Sequence, residues 1–321
     1  MLQHKKKTIG VISIMGGLSL LSLTGCGSNM AAPVNPSSGS VGTTQHGVLL
    51  GVGAENEYAN VMQQIGGKYL SVSAIMSDPN TDPHEYEASP QTSSMIAHAN
   101  LIVQNGLGYD DFMNKLESAS GNPHRKIIEV QTSLGYSNST PNPHLWYAPS
   151  TMPRVAQLIA DDLSALLPAH KAYFNHNVAI FDASLQPYDR ELEHVQKEFK
   201  NAPVATTEPV CDYMLEAAGM ANKTPWSFQA AIMNGIDPSP QDVNTEEQLL
   251  SNHQVDVFLY NQQVVDSLTT SLLQIAKQHH IPVVGVYETM PPNYSYQSWM
   301  QDEVIDLQKA LQYHTSTQTL S

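Results

Sequence analysis

At 321 residues the chain is long enough for two domains that each bury a core, and 15 Lys+Arg against 30 Asp+Glu leave a formal net charge of −15. A surface of that sign repels phosphate backbones, and no basic stripe interleaved with aromatics occurs, so nucleic acid is excluded as a partner. Acidity of this kind suits a soluble body that attracts cations.

The chain opens with Lys5, Lys6 and Lys7, followed by a small, uncharged, apolar run at residues 9–23 and then Leu23-Thr24-Gly25-Cys26. A secretory signal has this pattern, whereas the run is short for a membrane span and carries the wrong flanks. The Leu-x-Gly-Cys ending resembles the bacterial lipobox, which implies a signal peptide over residues 1–25 and lipid modification of Cys26 as the first mature residue. Cys211 is the other cysteine, so no intramolecular disulfide is available, and a small buried hydrophobe near a helix start is its expected role. Residues 26–46, rich in Ser, Gly, Pro, Asn and Thr from Ser28 onward, read as a flexible tether.

From Gly47 the chain alternates short β-rich runs with helical patterns. Strands are predicted at 48–52, 69–75, 101–103 and 126–130, with helical stretches between several of them and an amphipathic helix over 152–167. Residues 170–200 form the organising element. Phe174, Val178, Phe181, Leu185, Tyr188, Leu192, Val195 and Phe199 recur in steps of four and three, which keeps one apolar stripe on one helix face. Such a helix spans about 45 Å, more than one small domain needs, and Pro187 is expected to kink it. A coiled-coil seam fits less well, since no ladder of flanking charges accompanies the stripe. Beyond it, a strand is predicted at 203–206, a helix at 210–218 ending at Gly219, strands at 255–260 and 282–287 joined by a helix over 264–280, and a last helix over 296–311. The expected fold class is α/β: two parallel-sheet lobes, 47–169 and 201–321, joined by the linking helix 170–200. Ligand sites then lie outside the carboxyl ends of the strands, in the cleft between lobes.

Four short segments place candidate metal ligands at such positions. His84 lies in Asp82-Pro83-His84-Glu85-Tyr86-Glu87 and His144 in Asn142-Pro143-His144-Leu145-Trp146; Glu208 lies in Thr206-Thr207-Glu208-Pro209 and Glu288 in Tyr287-Glu288-Thr289-Met290-Pro291-Pro292. Two precede the long helix and two follow it. A proline beside each of the first three stiffens the presenting loop. Two neutral imidazoles and two carboxylates bind a divalent cation and cancel its formal charge. Glu85, Glu87, His279 and His280 are read as solvated residues.

Taken together, Asp-Pro-His-x-Tyr-Glu, Asn-Pro-His-Leu-Trp, Thr-Glu-Pro-Val-x-Asp-Tyr-Met, Tyr-Asn-Gln-Gln at 260–263 and Glu-Thr-Met-Pro-Pro resemble the metal-binding lipoproteins of bacterial zinc/manganese ABC transporters. The resemblance runs from about Gly47 to the C-terminus. It implies two α/β lobes on one long helix and an ion held by His84, His144, Glu208 and Glu288. It also implies transport of Zn²⁺ or Mn²⁺ as cargo, delivery to a membrane permease, and a lipid-anchored, extracytoplasmic monomer. Zinc-specific members often carry a His- and acid-rich loop between the first two ligands and a third His ligand. Here that interval holds only His98 and His124 besides, and the third position is Glu208. Two histidines with two carboxylates resemble the manganese members, yet affinity order favours Zn²⁺, so both ions stand.

A metal-dependent hydrolase is the enzyme alternative, because His and carboxylates also hold catalytic zinc. Against it, there is no His-Glu-x-x-His or Gly-x-Ser-x-Gly, Gly51-Val52-Gly53 lacks the third glycine of a dinucleotide loop, and all four ligands are used by the ion. No catalytic residue is assigned. A surface adhesin of the same fold is the structural alternative.

Overall fold

Leu49–Glu55 is apolar almost throughout, and it forms β1, the inner strand of the first sheet, covered on both faces. The computed structural model describes residues 47–78 and 86–320, all within one compact unit, Ser40–Ser321. The signal, Cys26 and tether assigned to residues 1–46 lie outside the described residues, as do His84 and Glu85.

The N-terminal lobe runs β1, α1 (Asn56–Gly66), β2 (Leu70–Met76), α2 (Pro90–His98), β3 (Leu101–Gln104), α3 (Phe112–Ala119), β4 (Lys126–Glu129), α4 (Val130–Leu134) and α5 (Thr151–Leu166). Its strands pair in the order β2-β1-β3-β4, all parallel. The C-terminal lobe runs β5 (Pro203–Thr206), α7 (Asp212–Ala217), β6 (Ala221–Asn222), α8 (Trp226–Met233), α9 (Pro240–Ser251), β7 (Val257–Asn261), α10 (Ser267–Gln278), β8 (Val283–Val286) and α11 (Tyr296–Tyr313), after the connecting α6 (Lys171–Glu198). Its order, β6-β5-β7-β8, repeats the first with every pair parallel. This is the two-lobed parallel α/β architecture that the strand–helix alternation predicts.

α6 occupies the expected stretch, entered through the 3-10 turn Pro168–His170, and it continues unbroken through Pro187. Phe174, Val178, Phe181, Leu185, Tyr188, Leu192 and Val195 are its buried residues, seven of the eight in the predicted stripe; Phe199, just past its end, is half-buried. The stripe packs on α5 and α1 of one lobe and α11 of the other. Polar ties follow the same division: Asn177 donates to Ile65 O at 2.9 Å, while Ser184 Oγ accepts from Gln297 at 2.7 Å. The apolar core is continuous across the lobes, running from Tyr58 and Val155 through Trp146, Tyr147 and Phe181 to Val204 and Trp299. α8, α9 and the two-residue β6 have no counterpart in the sequence reading. α8 is hydrophobic nearly all round and β6 too short to show a period. Cys211 is fully buried beside α7, as expected, and its burial raises the thiol's pKa well above the ordinary range.

Gly53 lets α1 pack directly on β1, since a Cβ there would sit 2.6 Å from Ala59 N. Gly53→Ala is expected to lower stability by about 1–3 kcal/mol, the usual cost of overpacking, read as a lower urea midpoint at unchanged slope. An unchanged midpoint would show that α1 shifts without cost.

Candidate metal site

The carboxyl ends of β5, β7 and β8 meet in Glu208, Asn261 and Glu288, and all three side chains are buried. Opposite them, the N-terminal lobe contributes His144, fully buried at the start of a 3-10 turn, Leu145–Tyr147. Its Nε2 lies 3.2 Å from Glu288 Oε2. Asn142 determines the tautomer of this ring. Asn142 Oδ1 accepts from the His144 backbone N–H at 3.0 Å and lies 2.7 Å from Nδ1, while its Nδ2 donates to Pro209 O at 2.8 Å. With the amide oxygen turned toward His144, Nδ1 carries the proton, and the lone pair of the neutral ring lies on Nε2. An imidazole lone pair and a carboxylate oxygen then face each other in a dry site. Only a proton or a metal cation between them makes that contact favourable.

Tyr109 donates to the same Glu288 oxygen at 3.0 Å, and its ring stands edge-on to His144 and Trp146 at 5.8 and 5.0 Å. Tyr109 is positioned by a tight turn after β3. Asp110 accepts from the N–H groups of Asn105 and Gly106 at 2.6 and 2.9 Å, and Gly106 has φ +84°, a conformation natural to glycine. Asn105 in turn donates to Pro143 O at 2.8 Å, which ties this turn to the His144 loop.

Behind the site lie three more buried acids. Burial, with the charges of Asp110 and Glu57 adding, raises Glu55 well above the carboxylate range. Burial does the same to Glu57, with Glu288 and Asp110 contributing. Asp110 is raised by burial to about 6, its hydrogen bonds from Gly106 and Asn105 opposing the shift. Burial therefore holds these acids toward their neutral forms in the apo protein, and a cation bound nearby would favour their ionisation.

Of the four sequence-derived ligands, the structure brings His144 and Glu288 into contact and couples Glu208 to Glu288 through Asn261. Asn261 Nδ2 donates to Glu208 Oε1 at 2.9 Å and to Glu288 Oε1 at 2.7 Å. His84 lies outside the described residues, in the connection between β2 and α2. Among the described residues no three His, Cys, Asp or Glu side chains converge as a closed coordination shell. Glu87, His98, His124 and His280 are exposed and His279 is half-buried, beside His253.

Residues 53–310 match the family model of ZnuA, zinc-uptake complex component A, periplasmic. The chain belongs to this family. Among its relatives, the manganese-binding lipoprotein MntA of Bacillus subtilis is 22% identical over 286 residues, covering 82% of this chain and 84% of MntA. The manganese ABC transporter substrate-binding lipoprotein PsaA of Streptococcus pneumoniae is 24% identical over 246 residues, 70% of this chain and 74% of PsaA. The periplasmic zinc binding protein TroA of Treponema pallidum superposes with a TM-score of 0.70 at 16% identity, over 84% of this chain and all of TroA. FpvC of Pseudomonas aeruginosa, solved in complex with Mn²⁺, gives 0.68 at 20% identity, over 83% of this chain and 98% of FpvC. At these identities the structural likeness establishes the fold. Within this ZnuA-family chain, Tyr109, Asn105 and Gln263 are polar partners of the site that the sequence reading assigned no role. Gln263 Oε1 accepts from the N–H groups of Glu288 and Thr289 at 2.6 and 2.7 Å and so fixes the loop that presents Glu288.

Proposed function

We propose that this chain is the extracytoplasmic solute-binding component of a bacterial metal importer, capturing one Zn²⁺ or Mn²⁺ ion on His84, His144, Glu208 and Glu288 and delivering it to an ABC permease. The buried His144–Glu288 contact carries the reading. Its two facing acceptors come from different lobes, and a divalent ion is the partner that satisfies both. The same four groups neutralise the ion's formal charge, which suits a carrier that holds its cargo unchanged. Support comes also from the family, whose members include lipoproteins named for manganese binding and transport.

The proposed organisation is a signal over residues 1–25, a tether over 26–46, the lobe 47–169, the linking helix 170–200 and the lobe 201–321. Among the described residues no helix is long and apolar enough to cross a membrane. Attachment is assigned to Cys26. A single acyl chain binds a bilayer only reversibly, so the several chains of a fully modified cysteine are what would hold the protein there. Cys26→Ala is expected to move the protein from the membrane fraction to the soluble one, and a variant that stayed with membranes would refute the anchor.

The function is tested by elemental analysis of protein purified without added metal, followed by competitive titration of Zn²⁺ against Mn²⁺. One ion per chain is expected. Protein that binds neither ion above background would overturn the proposal.

A further inference from the structure

β8 reads Val283-Val284-Gly285-Val286, a buried apolar strand with a glycine in its middle. Glycine weakens a strand interior, and Gly285 has no positive φ to require it. The reason lies on the outer edge of the strand. α11 ends at His314, whose φ of +53° turns the chain back, and Thr317 then pairs with Val284 in parallel. The Thr317 N–H donates to Val283 O at 2.9 Å, and its carbonyl accepts from the Gly285 N–H at 2.9 Å. Ser316 Oγ accepts from the Val283 N–H at 3.0 Å. A Cβ on Gly285 would stand 2.0 Å from Gln318 O, so only glycine admits the segment this close. Further on, Leu320 packs against the main core, and its N–H donates to the Tyr287 hydroxyl. Tyr287 directly precedes Glu288, and its carbonyl accepts from Tyr147 of the opposite lobe at 2.6 Å.

We infer that residues 315–320 are a positioning element of the metal site, a clamp on the outer edge of β8 that holds Glu288 where it meets His144. This role rests on the metal capture proposed above. β7 holds the inner edge of β8, in register from Phe258 opposite Val283 to Asn261 opposite Val286. An edge strand held on one side leaves a row of unpaired N–H and C=O groups on the other. Here the segment satisfies those of Val283 and the N–H of Gly285, so both edges of β8 are fixed up to the point where it delivers Tyr287 and Glu288. A metal site needs its ligands held within about 0.5 Å of the productive geometry, and the direction of the strand end decides that for Glu288. The segment acts through β8 and is not itself a ligand.

The test measures Zn²⁺ and Mn²⁺ dissociation constants on folded protein, with urea midpoints alongside. Gly285→Ala pushes the segment outward, Thr317→Pro removes the N–H that bonds Val283, and a chain ended after His314 lacks the segment altogether. Each is expected to bind both ions about tenfold more weakly, the lower end of what losing an outer partner of a metal ligand costs. Gly285→Ala made in the shortened chain is expected to cost nothing further, because both changes act through one contact. Lower urea midpoints with unchanged dissociation constants would overturn the inference and leave the segment a cover for the sheet edge. A further loss in the doubly altered chain would overturn it too, since Gly285 would then act elsewhere. Should the shortened chain fail to fold, Gly285→Ala and Thr317→Pro, alone and combined, decide by the same rule. Wild-type protein that binds neither ion would instead remove the metal-capture reading beneath it.

Discussion

Replacing Glu288 by Ala is expected to weaken binding of both Zn²⁺ and Mn²⁺ by at least about 100-fold, since losing even an outer-shell partner of a metal ligand costs 10–100-fold. Glu288 is where the site converges. One of its oxygens faces His144 and Tyr109, and the other accepts from Asn261. Without it His144 Nε2 loses its counterpart in the opposite lobe, and Asn261 holds one carboxylate instead of two. The apo fold is expected to survive, because removing a buried carboxylate also removes a desolvation cost. The effect reads out as ligand-linked melting. An ion at 100 times its dissociation constant stabilises the native state by about 2.7 kcal/mol, and that increment is expected to be nearly lost in Glu288→Ala and in His144→Ala at the same ion concentration. Both imidazoles must be neutral to bind. The wild-type shift is therefore expected to be large at pH 7.5 and much smaller at pH 5, below the ordinary histidine pKa of about 6.5. Retained shifts in both variants would exclude these ligands.

The second large effect concerns the apo protein and lies behind the site. Glu303 of α11 is fully buried, and burial raises its pKa to about 8 despite hydrogen bonds with Tyr147 and Trp299. Those bonds fit a neutral acid. Tyr147 has a single hydroxyl proton, and it lies 2.6 Å from Tyr287 O and 2.9 Å from both Glu303 oxygens. Donation to Tyr287 O leaves the phenol oxygen to accept from a protonated Glu303, while Trp299 Nε1 donates to Glu303 Oε1 at 2.7 Å. Glu246 is raised to about 8 in the same way, by burial, with the hydrogen bond from Thr224 opposing the shift. Each folded-state pKa exceeds the unfolded value, so between about pH 4.5 and 8 the native state binds more protons than the unfolded one. Stability therefore falls as pH rises through that window and is least above it. For Glu303 the full span amounts to a few kcal/mol, at 1.36 kcal/mol per pH unit. Glu303→Gln preserves both bonds, since its amide can donate to Tyr147 and accept from Trp299. It is expected to leave stability near wild type at pH 5 and to raise it at pH 8.5. Urea titrations of the apo protein at the two pH values decide the matter, and parallel profiles for the two proteins would show that Glu303 does not titrate in this range.

Much of the fold was legible because each local pattern agrees with its environment. The stripe from Phe174 to Val195 is the buried face of α6, the continuous apolar run near 257 is the inner strand β7, and the run near 283 is β8, an edge strand buried along its whole length. Proline punctuation around His144 and Glu208 marked loops; Glu208 follows β5 directly, where parallel sheets place their ligands, whereas His144 lies in the longer connection between α4 and α5. The short α8 and the two-residue β6 left no such trace, since neither completes a recognisable period.

The sequence by itself therefore determined the class of fold, the linking helix, the cation-favouring acidity and the residue types that could hold an ion. The tertiary structure decided which of these meet. Each lobe keeps a smaller cluster of its own, around Ile102 in the first and Phe258 in the second, but the largest core joins the two, because Trp146, Tyr147, Phe181 and Trp299 belong to one continuous cluster, an arrangement that no local period encodes. The buried partners of the site were decided the same way. Tyr109, Asn261 and Glu303 look ordinary in sequence, and each acquires its role from a partner 27 to 179 positions away. Hydrogen-bond geometry and desolvation act through space, and only folding brings such groups within reach of one another.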